Sequence, residues 1–156
     1  MVRAHRVALL PLGLLVAFSL TFLLLASCVQ PNKQLWYGTW TSEKGPYQKS
    51  VHAPDGMVQD FSLLSDTTPV QRLKMQIVRC WSDSEGNTWF NNEGTVLEGP
   101  HKNSIPKFQT LEKISKSGSL LEVMARGVVE FNPKNFPTKI DPTDPYFYLS
   151  FTRLQK

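Results

Sequence analysis

From Val7 to Leu25 the chain is apolar except for Ser19 and Thr21, and it follows Arg3 and Arg6 with no acid. A basic start and an apolar core predict a secretory leader. The run is also close to the roughly 20 residues that span a bilayer, so an uncleaved anchor is the alternative. Beyond Gln34 polarity changes every few residues. "LWYGTWTS" is rich in aromatic and β-favouring side chains, and "YQKSVHA" and "MVQDFSLL" flank Pro54-Asp55-Gly56. In such a turn proline presets one backbone angle and glycine accepts a positive one, so a strand and then a hairpin are expected.

In "VQRLKMQIVRCW" Leu73, Met75 and Ile77 alternate with Lys74 and Gln76, a period of two that predicts a strand. Val70, Leu73, Ile77 and Cys80 also fit a helical repeat; the strand is favoured. A turn cluster at Ser82 to Asn87 leads into "TWFNNEGTVLEG", with Gly94 a candidate bulge. "FQTLEKIS" and "SLLEVMARGVVEF" flank Lys116-Ser117-Gly118, a second hairpin turn, and in "YFYLSFTR" Phe147, Leu149 and Phe151 alternate with Tyr146, Tyr148 and Ser150. About eight short strands and no helix predict an all-β fold, a single small antiparallel barrel or sandwich. No repeat of solenoid or propeller length is present.

At the end of the apolar run, Leu25-Ala26-Ser27-Cys28 resembles the signal of bacterial lipoproteins: a branched apolar residue, two small ones, then cysteine. The resemblance implies cleavage before Cys28 and acylation of its thiol. It divides the chain into a signal peptide (1–27), a lipidated cysteine with a short tether (28–34) and a barrel domain (35–156). Several acyl chains hold a protein to a membrane where one binds only reversibly. Six tether residues, Val29 to Gln34, reach about 20 Å, which keeps the body near the lipid surface. With or without cleavage, the body is expected outside the cytoplasm, in the cell envelope. Valine rather than aspartate after the cysteine favours the outer membrane under the enteric sorting rule.

Composition then changes meaning. Removing 27 of 156 residues leaves 129, one domain. Losing Arg3 and Arg6 takes the seventeen basic residues to fifteen, against thirteen acids, so the basic excess that suggests nucleic acid nearly disappears. With Cys28 acylated, Cys80 has no partner for a disulfide and reads as a small buried residue.

Gly38-Thr39-Trp40 near the start and Arg153 near the end resemble the lipocalins and lipocalin-like barrels. The resemblance implies that the Trp40 indole sits at the closed end of a barrel with the Arg153 guanidinium over it, and that the interior encloses a small apolar or amphiphilic ligand. The sequence offers no cofactor motif, and no spacing of His52, Cys80 and His101 resembles a metal-ligand pair. Both histidines read as surface residues. No Gly-x-Ser-x-Gly or His-Glu-x-x-His is present, so a non-enzymatic protein is expected. The proline-rich stretch from Asn132 to Pro145 carries two exposed-looking apolar residues, Phe136 and Ile140. With Trp89 and Phe90 these are the candidate ligand-binding or partner-binding residues. The alternative function is an interaction module with a filled barrel that holds an envelope or host protein through that loop.

Overall fold

A computed structural model describes residues 32–144 and 147–154. The leader, Cys28 and the start of the tether lie outside the described residues. The strands are β1 (Gly38–Thr41), β2 (Lys49–His52), β3 (Met57–Phe61), β4 (Gln71–Ser82), β5 (Thr88–Glu98), β6 (Lys107–Ile114), β7 (Leu120–Gly127) and β8 (Tyr148–Arg153). Each pairs antiparallel with the next, and β8 returns to β1 to give a closed eight-stranded barrel. The all-β barrel expected from the pattern is the fold observed.

Local chemistry sets several departures from the expected boundaries. Leu35 and Trp36 belong to a 3₁₀ turn, Lys33–Trp36, capped by the Asn32 side chain accepting from the Gln34 amide. The last residues of the stretch read as tether, Lys33 and Gln34, are therefore part of a folded turn. The strand expected through Phe131 stops at Gly127. Gly94 is not a bulge: it pairs in register with Met75 and with Phe108. Its role is space, since a Cβ there would run into the Phe108 ring and the Met75 sulfur. The β4–β5 ladder is irregular elsewhere, between Arg72 and Leu73 and between Ile77 and Arg79. The second irregularity places an extra residue, Val78, in β4 and turns the two-residue period into a three-residue step from Ile77 to Cys80. That step is what mimics a helical repeat in the sequence.

The Pro54-Asp55-Gly56 turn forms as expected. The Ala53 amide donates the closing bond to the Met57 carbonyl at 2.8 Å, the Met57 amide donates to Asp55 Oδ1 at 2.9 Å, and Gly56 takes φ +84°. The Gly56 carbonyl also accepts from the Met75 amide at 2.8 Å, which ties this turn to β4.

The packed core contains Trp36, Trp40, Phe90, Ile114, Leu121 and Phe151. The seam between β8 and β1 is short, with Trp40 opposite Arg153 and Thr41 opposite Thr152. Side chains reinforce it. The Arg153 guanidinium lies 4.3 Å from the centre of the Trp40 ring, Nε donates to the Gly118 carbonyl at 2.8 Å, Nη1 to the Tyr37 carbonyl at 3.0 Å and Nη2 to the Leu35 carbonyl. One planar fork thereby joins the 3₁₀ turn, the residue entering β1, the β6–β7 turn and β8, which a point charge such as lysine could not do.

Candidate functional site

The barrel encloses a cavity of about 250 Å³. Val58, Leu73, Met75, Phe108 and Phe151 give it mainly apolar walls, and Trp36 also lines it. It reaches the surface among Pro46, His101, Ile105 and Phe147, all exposed residues of the loops between strands or their edges.

A polar row crosses one wall. Register places Ser50 of β2 opposite Asp60 of β3, and Asp60 opposite Gln71 of β4. Ser50, His52, Asp60 and Gln71 all line the cavity, and all are buried. Ser50 Oγ donates to Asp60 Oδ1 at 2.7 Å, and Gln71 Nε2 donates to Asp60 Oδ2 at 3.2 Å. His52 Nε2 lies 3.1 Å from Ser50 Oγ. Which of these two atoms donates depends on the tautomer of the ring. Two atoms lining the cavity have no hydrogen-bond partner, His52 Nδ1 and Gln71 Oε1.

A second carboxyl stands in the wall on β6. Glu112 Oε2 accepts from Trp36 Nε1 at 2.6 Å, and Oε1 accepts from Thr110 Oγ1 at 2.8 Å. The first bond fastens the 3₁₀ turn to the barrel interior. The Trp36 ring also packs on His52, with centroids 4.3 Å apart.

Burial dominates the electrostatics. It lowers the His52 pKa to about 3, with the Trp36 carbonyl pulling the other way and the Arg153 charge adding to the fall, so the imidazole is neutral. Burial raises Asp60, and the bonds from Ser50 and Gln71 offset part of the rise. It raises Glu112 as well, against the opposing influence of Asn92, Thr110 and Trp36. Tyr47, at the cavity wall, is raised by burial and then by the Asp60 charge. Among the described residues no Lys or Arg lines the cavity.

Serine, histidine and aspartate in contact invite comparison with a nucleophilic triad, and the order of the bonds argues against one. In a triad histidine stands between acid and hydroxyl and takes the hydroxyl proton. Here the hydroxyl is in the middle with its hydrogen directed at the acid, and the histidine is too weakly basic to remove it.

The residues singled out in the sequence lie elsewhere. Trp89 faces outward and half-buried, stacked on Trp81 with centroids 6.1 Å apart and donating to Asp83 Oδ2 at 2.7 Å. Phe90 is fully buried in the packed core, and neither residue lines the cavity. Phe136 is buried and Ile140 half-buried, so the 132–145 loop does not present them as an exposed apolar face. His52, expected at the surface, is inside; His101 is exposed at the cavity's edge. Cys80 is half-buried against the core, with its thiol pKa raised by burial. Among the described residues no three His, Cys, Asp or Glu side chains form a group able to hold a metal ion.

No protein-family model, curated protein or solved structure matches this chain significantly.

Proposed function

We propose that the chain is a lipid-anchored envelope protein whose barrel, similar in plan to the lipocalins, binds a small apolar or amphiphilic molecule without chemical change. The observation that carries the ligand reading is the cavity of about 250 Å³, apolar over most of its wall and reaching the surface at the loops. Binding sites of this kind are concave and mostly apolar, with a few placed polar groups. The volume lies just below the usual range for drug-sized ligands, so the guest is small. A barrel serving only as a scaffold for a partner would fill this space with side chains.

The anchoring part of the reading rests on Leu25-Ala26-Ser27-Cys28 after the basic and apolar leader. The 3₁₀ turn starts at Lys33, so only four residues lie between Cys28 and the turn, a chain length of at most about 14 Å. Binding is then exercised close to the lipid surface.

Two measurements test the proposal. Mass spectrometry of protein purified natively from membranes is expected to find a stoichiometric small molecule; nothing retained at any stage from a lipid extract counts against a ligand site. Intact-mass analysis is expected to show a chain starting at an acylated Cys28; an unmodified Met1 start removes the lipoprotein reading.

A further inference from the structure

We propose that the cavity takes a small monoamine, an ammonium group on an apolar body, with Asp60 as its counter-ion and Gln71 Oε1 as a second acceptor. This rests on the reading of the cavity as a ligand site and adds the chemical class of the guest.

The polar groups of the cavity are unbalanced in one direction. Asp60 uses one acceptor site on each oxygen, for Ser50 and Gln71, and an ionised carboxylate offers about four. Gln71 is 6 % exposed, and its Oε1 has no donor at all. Its amide cannot be reversed to supply one, since Oε1 would then face the carboxylate in place of Nε2. The polar capacity left over around Asp60 is thus acceptor capacity. An ammonium carries three donors and no acceptor.

Charge points the same way. Asp60 and Glu112 are both buried, His52 is neutral, and among the described residues no Lys or Arg reaches the cavity. A buried carboxylate without a counter-charge is costly, and a cation entering the cavity relieves that cost. A carboxylate guest meets two buried acids and, among the described residues, no Lys or Arg. A neutral alcohol supplies one donor and no charge. Each acid accepts one bond on each oxygen, but the two differ in what adjoins them: the Trp36 bond to Glu112 fastens the 3₁₀ turn, whereas Asp60 has the donor-free Oε1 of Gln71 beside it. The rings of Tyr47, Phe108 and Phe147, which also line the cavity, suit an apolar or aromatic body.

The test compares three guests of similar size: 2-phenylethylamine, 2-phenylethanol and 3-phenylpropanoate. Calorimetric titration uses the full chain in phosphatidylcholine nanodiscs and an amine-free buffer, with empty nanodiscs as reference. The amine is expected to bind at least tenfold more tightly than the alcohol, and the acid to give no signal. Asp60→Asn is expected to reduce the amine to the affinity of the alcohol, while Glu112→Gln keeps most of the preference; circular dichroism melts confirm that both variants fold. Equal binding of amine and alcohol, or tightest binding of the acid, overturns the amine assignment and leaves the ligand site standing. An amine preference unchanged in folded Asp60→Asn overturns the role of Asp60. If none of the three binds to the wild type, the ligand site falls together with the inference. Should Asp60→Asn fail to fold, the wild-type series alone decides the guest class.

Discussion

His52 offers the clearest quantitative test, because its burial converts directly into a pH-dependent stability. In the unfolded chain histidine titrates near 6.5, and in the barrel it stays neutral down to about pH 3. Its pKa is therefore depressed on folding. The stability it contributes is fully present above 6.5 and is lost as pH falls from 6.5 toward 3, since only the unfolded state takes up the proton. At pH 5 the unfolded state gains about 2 kcal/mol from protonation that the barrel does not share. Asp60 and Glu112, whose values are raised, run in the opposite direction, so a wild-type pH profile alone mixes the effects. The measurement is a difference: urea unfolding of wild type and His52→Gln at pH 7.5 and at pH 5. Between these two values wild type is expected to lose about 2 kcal/mol more than the variant, roughly 1 M in midpoint. Repeating the pair in an Asp60→Asn background removes coupling carried through Ser50. Parallel pH profiles for wild type and His52→Gln in both backgrounds would refute the burial argument.

Other consequences follow from single contacts. Gly94→Ala places a methyl against Phe108 and Met75 and is expected to cost about 1–3 kcal/mol by overpacking; an unchanged melting temperature would show that the wall yields freely. Arg153→Ala removes the ring contact with Trp40 and the bonds to three carbonyls, an expected loss of about 2–4 kcal/mol in urea unfolding. Arg153→Lys should recover less than half of that, because an ammonium cannot span the three carbonyls; full recovery would reduce the clamp to simple charge. Burial keeps the Glu112 proton on in the barrel beyond the pH at which the unfolded chain releases it. Its contribution is thus complete at low pH and lost as pH rises through the folded value. Glu112→Gln should gain stability relative to wild type between pH 4 and pH 8, and thermal melts across that range showing a constant difference would contradict it.

The fold was legible because strands and turns carry local signals. The alternation in Leu73-Lys74-Met75-Gln76-Ile77 and the glycine turns at 56 and 118 are short-range chemistry, and the barrel follows from joining neighbours. The site was harder to see because it depends on which face of each strand turns inward. In β2 and β3 the apolar Val51 is outward and half-buried, while Ser50, His52 and Asp60 point in. A rule that sends apolar residues to the core misplaces them. Yet one signal was available: a hairpin centred on Asp55 pairs Ser50 with Asp60 and His52 with Val58, and a buried Val58 brings His52 in with it. Trp89 misled for the complementary reason. Its register opposite Trp81 and Lys113 fixes it on the outer face, where stacking and the bond to Asp83 hold it without reference to the interior.

The two ends of the interior are built on different terms. Around Trp36, Trp40 and Arg153 nearly every polar atom is used: the indole of Trp36 on Glu112, the indole of Trp40 on the Trp36 carbonyl, the guanidinium on three further carbonyls. That end closes a barrel whose first and last strands share few residue pairs. Along the Ser50, Asp60 and Gln71 row the pairing is incomplete: among the described residues no Lys or Arg lines the cavity beside the Asp60 carboxyl, and the Gln71 amide oxygen has no donor. Apolar residues of similar volume in that row would spare the desolvation of both groups and fill the adjoining space, and buried polar sets of this kind often gain stability when so replaced. A scaffold has no use for such a row. A cavity that must orient a guest by its polar end would, because polar groups without partners in the wall are those that can distinguish one guest from another.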